Sequence, residues 1–204
     1  MVRPRSAAAH RKVVEAAIQL FAKEGIDATS MDAIATASGV SKATIYKHWA
    51  DKDALALEAV SYLFGFHEDF PDFASGDLRT DLIDCLSYES PHMPELRERM
   101  MPHLMAYSVR NQAFGRAWRE RVINRRRSAL AKLYQRGVAE GMLPRHLDPE
   151  ISTALLFGPI LYRHIFDNYV GGKRSPSGPP RTFVEQVVDS FLRSFGTETK
   201  RLCQ

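Results

Sequence analysis

The segment from residue 41 to residue 48 (SKATIYKH) carries polar side chains whose types and spacing suit contact with a phosphate backbone. If the segment is helical, its outward face presents hydroxyl groups, ammonium groups and a phenol, from Ser41, Lys42, Thr44, Tyr46 and Lys47. Hydroxyl groups and helix N-terminal amides donate hydrogen bonds to phosphate oxygens, and ammonium groups add a salt-dependent attraction. A solvated helix face can carry any one of these residues, but their combination beside a predicted turn favours contact with duplex DNA.

Two short helices joined by a tight turn are predicted to position this face. Thr29 or Ser30 caps the first helix, Gly39 takes the turn after it, and Ser41 caps the second. A longer helix before this pair, and another after it that Asp51 caps, supply the apolar side chains of a small core. The pattern predicts a helix-turn-helix, which presents its second helix to a groove of DNA.

The stretch from Val13 to Val60 resembles the DNA-binding domain of TetR-type (tetracycline-repressor-like) transcriptional regulators. The resemblance rests on Ala17, Phe21, Gly25, Thr29, Ile34, Ala35, Gly39, Val40, Ser41, Thr44, Ile45, Tyr46, His48, Trp49, Lys52 and Leu55. Trp49 stands where the family more usually has Phe, a difference that we expect to change little.

The resemblance implies functional residues and partners for this chain. Contacts with the duplex are expected from Thr29, Ser41, Lys42, Thr44, Tyr46, Lys47 and His48, and a phosphate contact from Lys52. The family also implies a homodimer that binds a palindromic operator in double-stranded DNA. A small-molecule effector, which the sequence does not identify, would bind in the C-terminal domain.

The remainder of the chain also has a helical pattern, and no segment alternates as a strand would. We therefore predict an all-α protein with a helix-turn-helix DNA-binding domain over residues 1–55. A C-terminal helical bundle over residues 56–204 would serve regulation and dimerisation. Further helices are expected over residues 77–88, 94–110, 113–140, 148–169 and 182–195.

Methionine and aromatic residues are concentrated in the middle helices, where flexible methionines suit an adaptable apolar pocket. The predicted ligand pocket consists of Met101, Met105, Tyr107, Phe114, Trp118 and Phe157. Plain core packing is the alternative interpretation of the same residues.

The last two helices are more apolar than the outer helices of a monomer need to be. Two such helices from each subunit would form a four-helix bundle across a two-fold axis. The predicted dimer interface consists of Leu156, Ile160, Ile165, Val184, Val188 and Phe191. An ordinary intramolecular core is the alternative.

Charge is distributed in blocks along the chain, although the net charge is only +4. Residues 61–100 are acidic and residues 110–136 are basic. The basic block is either a nucleic-acid surface or a partner of the acidic block inside one folded body. The helical pattern of both blocks favours the second interpretation.

Several classes of protein are disfavoured. The chain has no apolar stretch of about 20 residues and no signal-peptide pattern, so we expect a soluble, cytoplasmic protein without a membrane partner. Its two cysteines are far apart and its histidines are scattered, so no metal is expected, and no other cofactor is implied. No catalytic motif is present, and we therefore expect no enzyme.

A ligand-responsive repressor is the favoured function. An architectural or ligand-independent DNA-binding protein shares the same helix-turn-helix but needs no pocket, and it is the alternative. An enzyme built on the C-terminal domain has no support beyond unassigned polar residues.

Overall fold

The computed structural model describes residues 4–65, 71–89, 92–163, 166 and 180–197. These residues form helices and connecting turns and contain no strand, which confirms the predicted all-α fold. The helices are α1 (Pro4–Glu24), α2 (Met31–Ser38), α3 (Lys42–His48), α4 (Lys52–Leu63), α5 (Leu78–Ser87), α6 (Pro94–Arg110), α7 (Gln112–Trp118), α8 (Asn124–Ala139), α9 (Pro149–Arg163) and α10 (Arg181–Phe195). In this part of the chain, no helix is both long and apolar enough to cross a membrane.

The starts of the helices follow the side chains that cap them. The Ser30 hydroxyl accepts a hydrogen bond from the backbone N–H of Ala33, so Ser30 rather than Thr29 caps α2. Gly39 ends that helix with a left-handed backbone (φ 67°), as predicted. The Asp51 carboxylate caps α4 by accepting from the N–H of Ala54. The predicted helix-turn-helix is therefore present.

Residues 113–140 were expected to form one helix, but the structure interrupts it. A π-helical turn over Arg119–Ile123 separates α7 from α8. The predicted continuation of α9 to residue 169 lies largely outside the described residues.

The helices divide into two compact units, which are described separately. In the first unit, α1–α4 share one apolar core with α6, α7 and the π-helical turn. Phe21 of α1, Ile34 of α2 and Ile45 of α3 are fully buried in this core, as are Met100 and Leu104 of α6. The helix-turn-helix is thus supported by helices from well beyond residue 55, the end of the domain predicted from the sequence.

The second unit comprises α5, α8, α9 and α10. Its core is formed largely by Leu, Ile and Val side chains from these four helices. Gly137 allows close packing, because a Cβ atom there would lie 2.7 Å from a methyl carbon of Leu78 and 2.8 Å from one of Leu143. Arg79 and Asp189 also join α5 to α10 through two hydrogen bonds, of 2.6 and 3.0 Å.

Asp81, in the acidic block, is a buried charge in the second unit. Its carboxylate accepts hydrogen bonds from Arg136 (2.5 Å) and from the backbone N–H of Ser75 (2.9 Å). Burial opposes ionisation of Asp81, but these hydrogen bonds lower its pKa below the ordinary value. Arg136 belongs to the basic block, so this pair supports the predicted pairing of the two blocks. Other members pair elsewhere, as Arg127 does with Glu150.

Candidate nucleic-acid interface

The short helix α3 exposes most of the polar face that the sequence predicts. Ile45 and Trp49 are buried, and they fix which side of the helix faces solvent. The opposite side exposes Ser41, Lys42, Tyr46, Lys47 and His48, with Thr44 partly exposed. The structure therefore brings these six residues together on one surface.

The N-terminal end of α3 is held by its own side chains. The Ser41 hydroxyl accepts from the backbone N–H of Thr44 (3.2 Å), and the two hydroxyl groups are 2.8 Å apart. Lys42 reaches back to α2, where its ammonium lies 2.7 and 2.9 Å from the two carboxylate oxygens of Asp32. The hydrogen bond to Asp32 raises the pKa of Lys42. A phosphate that binds Lys42 must therefore compete with an acidic side chain of the same chain.

Lys52 joins the start of α4 to the turn between α1 and α2. Its ammonium donates to the carbonyl oxygens of Asp27 (3.1 Å) and Thr29 (3.0 Å). An ammonium has three protons, so one donor remains for a phosphate. Lys42, Tyr46 and Lys52 line one open groove of about 550 Å³, which Asp32 also lines.

The side chain of Thr29 does not lie on this exposed surface. It is 1% exposed, and its hydroxyl donates a 2.8 Å hydrogen bond to the carbonyl oxygen of Gly25. The hydroxyl of Thr29 is therefore not available to the duplex in this conformation, and a contact by another part of Thr29 stays a prediction. Ser30 takes the capping position instead, and Thr29 closes the preceding turn.

At the C-terminal end of α3, the structure reveals two residues that the sequence analysis missed, His10 and Glu58. The indole N–H of Trp49 donates a 2.7 Å hydrogen bond to Glu58 of α4. The other carboxylate oxygen of Glu58 lies 3.0 Å from Nε2 of His10 on α1. The His10 ring stacks on Trp49 (4.6 Å between centroids) and meets His48 edge-on at 5.5 Å. Trp49 therefore makes a hydrogen bond that a phenylalanine, which has no N–H to donate, could not make.

A second polar network connects α6 to α4. The Asp53 carboxylate accepts hydrogen bonds from the hydroxyl of Tyr107 (2.5 Å) and from the amide of Asn111 (2.7 Å). Burial and the hydrogen bond to Asp53 raise the pKa of Tyr107. Arg110, beside Asn111, pairs with Asp27 in the turn between α1 and α2. The end of α6 is thus attached to α4 and to the turn that precedes α2.

The six predicted pocket residues are divided between the two units. Phe157 packs against the core of the second unit, whereas the other five residues belong to the first. Phe114 and Tyr107 are buried core residues, as the alternative interpretation held. Met101 and Trp118 pack partly buried against the same core. The indole nitrogen of Trp118 is buried and has no hydrogen-bond partner among the described residues.

The predicted dimer residues face the core of their own chain. Five of the six are buried in the second unit, namely Leu156, Ile160, Val184, Val188 and Phe191, and Ile165 lies outside the described residues. The apolar periodicity of α9 and α10 thus marks an intramolecular core, because a helix needs the same stripe for its own core as for a partner. A different face of α9 is apolar and exposed, and it consists of Ile151, Leu155, Tyr162 and, just beyond the helix, Phe166.

Comparisons with known proteins agree with this geometry. The family model for bacterial regulatory proteins of the tetR family matches residues 13–59. The model for the tetracyclin repressor-like C-terminal domain matches residues 71–191, more than half of the chain.

Individual proteins show the same relationship. The HTH-type transcriptional regulator YdeS of Bacillus subtilis (strain 168) is 29% identical over 174 residues, which cover 82% of this chain and 87% of YdeS. The DNA-binding transcriptional repressor TetR of Mycobacteroides abscessus is 28% identical over 145 residues, or 69% of this chain and 75% of that protein. The solved structure of the flavonoid-responsive regulator FrrA has the same fold, with a TM-score of 0.69 at 24% identity over 93% of this chain and 95% of FrrA. The chain therefore belongs to the TetR family of DNA-binding transcriptional regulators.

Proposed function

We propose that this regulator is a homodimeric repressor that binds a palindromic operator and is released from it by a small molecule. The observation that carries the proposal is the exposed face of α3, where Lys42, Tyr46, Lys47 and His48 stand on a capped helix-turn-helix. Such a face can enter a major groove, and the flanking hydroxyl and ammonium groups can contact phosphates. Lys52 adds a phosphate contact through its remaining proton.

The repressor and effector roles have support from relatives. The Mycobacteroides abscessus protein is named a repressor, and FrrA is named flavonoid-responsive. The identity to FrrA is too low to carry its ligand class over to this chain, so the effector stays unnamed.

The connections of α6 supply a route by which an effector can act. Tyr107 and Asn111 hold Asp53 in the first turn of α4, so a ligand that displaces α6 would move the start of α4. We place the effector against α6 and α7, beside Met101 and Trp118. The buried indole N–H of Trp118 has no acceptor in the described part of the chain, and an effector with a carbonyl, carboxylate or hydroxyl oxygen would supply one.

A second copy of the chain is the proposed partner of the exposed face of α9. Ile151, Leu155 and Tyr162 lie on that face, and these side chains are 54%, 42% and 64% exposed. A Cβ atom added at Gly158 would meet no atom of the described residues within 4 Å, so a helix of the partner can approach closely there. A dimer that binds a palindromic operator needs its two copies of α3 on successive major grooves, about 34–36 Å apart.

The test is recovery of genomic DNA fragments by the purified protein, followed by binding to the recovered duplex at two salt concentrations. A discrete palindromic site would support the proposal. A plot of log affinity against log salt concentration should have a negative slope, with a magnitude of about 0.9 for each phosphate contacted. Recovery of unrelated fragments with equal affinity would contradict the proposal and favour an architectural DNA-binding protein.

A further inference from the structure

The C-terminal end of α3 is held between α1 and α4 by a small polar and aromatic cluster, which we call the Trp49 clasp and which consists of His10, His48, Trp49 and Glu58. One carboxylate oxygen of Glu58 accepts the indole proton of Trp49 at 2.7 Å, and the other lies 3.0 Å from His10. The imidazole of His10 lies over the indole with an angle of 28° between the rings. These contacts join three helices at the point where α3 ends.

The length of α3 explains why such a contact matters. Lys42–His48 is only about two turns, and a helix so short is not stable by itself in water. Its orientation must therefore come from its contacts with neighbouring helices. At its N-terminal end the polar contact with α2 is the exposed pair of Lys42 and Asp32, for which a DNA phosphate would compete.

The C-terminal end has a firmer anchor. The hydrophobic effect favours burial of the Trp49 ring in the core. This effect is not directional, so it does not fix the angle of the ring. The hydrogen bond to Glu58 does fix it, because a hydrogen bond of 2.7 Å is short and directional. The backbone N–H of Trp49 also closes the last turn of α3 on the carbonyl of Ile45. The carboxylate thus holds the residue that ends the recognition helix.

We infer that Glu58 is a positioning residue for specific DNA binding, which acts through Trp49 and His10 without contacting the duplex. The carboxylate sets the angle at which α3 leaves the core, and therefore where Lys47 and His48 meet the DNA. The inference rests on the proposed binding of a discrete operator. Loss of the clasp should weaken binding to that site more than binding to DNA of any other sequence, because phosphate attraction tolerates a tilted helix and base contacts do not.

The experiment compares four variants with the wild-type protein. Glu58→Ala removes both contacts, and Trp49→Phe removes the indole donor while keeping an aromatic ring. Glu58→Gln removes the charge but keeps an oxygen that can accept from Trp49. Glu24→Ala is the matched control, because Glu24 and Glu58 are both 40% exposed and Glu24 pairs only with the neighbouring Lys23 among the described residues. Affinity is measured on the palindromic duplex that the wild-type protein recovers and on a duplex of scrambled sequence.

The expected result is a loss of about tenfold in affinity for the recovered site with Glu58→Ala and Trp49→Phe, equivalent to about 1.4 kcal/mol. Glu58→Gln and Glu24→Ala should stay within about twofold of the wild type, and the scrambled duplex should bind all the proteins alike. Circular dichroism should show the same helical content in each.

Three results overturn the inference. Glu58→Ala could bind the recovered site as Glu24→Ala does, which would leave the clasp without a role. Glu58→Gln could lose as much affinity as Glu58→Ala, so that charge rather than hydrogen bonding decides. Glu58→Ala could lose helical content together with affinity for both duplexes, and the variant would then have a folding defect. A wild-type protein that recovers no discrete site would refute the proposed function itself, and with it this inference.

Discussion

Replacing Asp32 with asparagine should tighten operator binding while making the protein less stable. In the free protein the carboxylate of Asp32 holds the ammonium of Lys42 at 2.7 Å, and Asp32 is 71% exposed on the proposed DNA-binding surface. A phosphate that approaches this surface is repelled by Asp32, and it must displace the Asp32 carboxylate before it can pair with Lys42. Asparagine removes the repulsion and frees the ammonium.

The magnitude follows from counterion release. Each phosphate that a lysine neutralises steepens the dependence of log affinity on log salt concentration by about 0.9, so two freed copies of Lys42 in a dimer add about 1.8. The gain in affinity should be greatest at low salt and should shrink as salt rises. Asp32 also lies in the first turn of α2, where a carboxylate stabilises a helix by about 0.3–1 kcal/mol. Affinity and stability should therefore change in opposite directions.

The assay is fluorescence anisotropy on the recovered duplex between 50 and 200 mM salt (about the range over which phosphate contacts dominate), with thermal unfolding measured in parallel. Glu24→Gln removes the same charge away from Lys42 and should leave the slope unchanged. Adding Lys42→Met to Asp32→Asn should return the slope to its original value. A wild-type slope in Asp32→Asn would refute the reasoning, because Lys42 would then contact a phosphate in both proteins or in neither. If Glu24→Gln had the same salt slope as Asp32→Asn, the change in slope would come from net charge and not from the release of Lys42.

Three further predictions concern other parts of the chain. Leu155→Arg should produce a monomer in sedimentation. Operator binding should weaken by about a hundredfold or more, since the two DNA-binding domains are no longer linked. The control, Val109→Arg at an exposed apolar residue of α6, should leave the dimer intact. Tyr107→Phe removes the hydroxyl that donates a hydrogen bond to Asp53, a loss of about 1.5 kcal/mol in the free energy of unfolding. The melting temperature in calorimetry should fall by about 3–6 °C. An unchanged melting temperature would show that this bond is not stabilising. Burial raises the pKa of Cys85 to about 12. A thiol reagent at neutral pH should therefore label Cys85 in the denatured protein but not in the native protein. The labelling is measured in a variant whose other cysteine is replaced by serine.

Local signals in the sequence were enough to predict much of the fold. Ser41, Asp51 and Gly39 lie where the predicted helices begin and end, because capping and left-handed turns depend on one residue and its immediate neighbours. The exposed face of α3 was predictable for the same reason, since Ile45 and Trp49 fix its buried side.

The errors arise where the answer depends on contacts between distant residues. The apolar stripes of α9 and α10 look the same whether they face their own core or a second subunit, so Leu156 and Val188 were assigned to the wrong partner. The significance of Trp49 depends on Glu58, nine residues later, and on His10, and no pattern of spacing in the sequence indicates that these side chains meet. The hydrogen bond between Asp53 and Tyr107 joins residues 54 positions apart, and Tyr107 was taken for a pocket residue on its type alone.

The two polar networks of the first unit both reach α4, and this gives the helix a part in the proposed release from DNA. Asp53, in its first turn, is held by α6, and Glu58, five residues later, holds the end of α3. A helix moves as a rigid body over so short a distance, so a displacement of α6 that moves Asp53 must also move Glu58. The recognition helix would then change its angle without any ligand touching it, because its C-terminal anchor belongs to the helix that α6 moves. On this argument, the hydrogen bonds of Asp53 and Glu58 are two ends of one connection, and neither residue needs to contact effector or DNA.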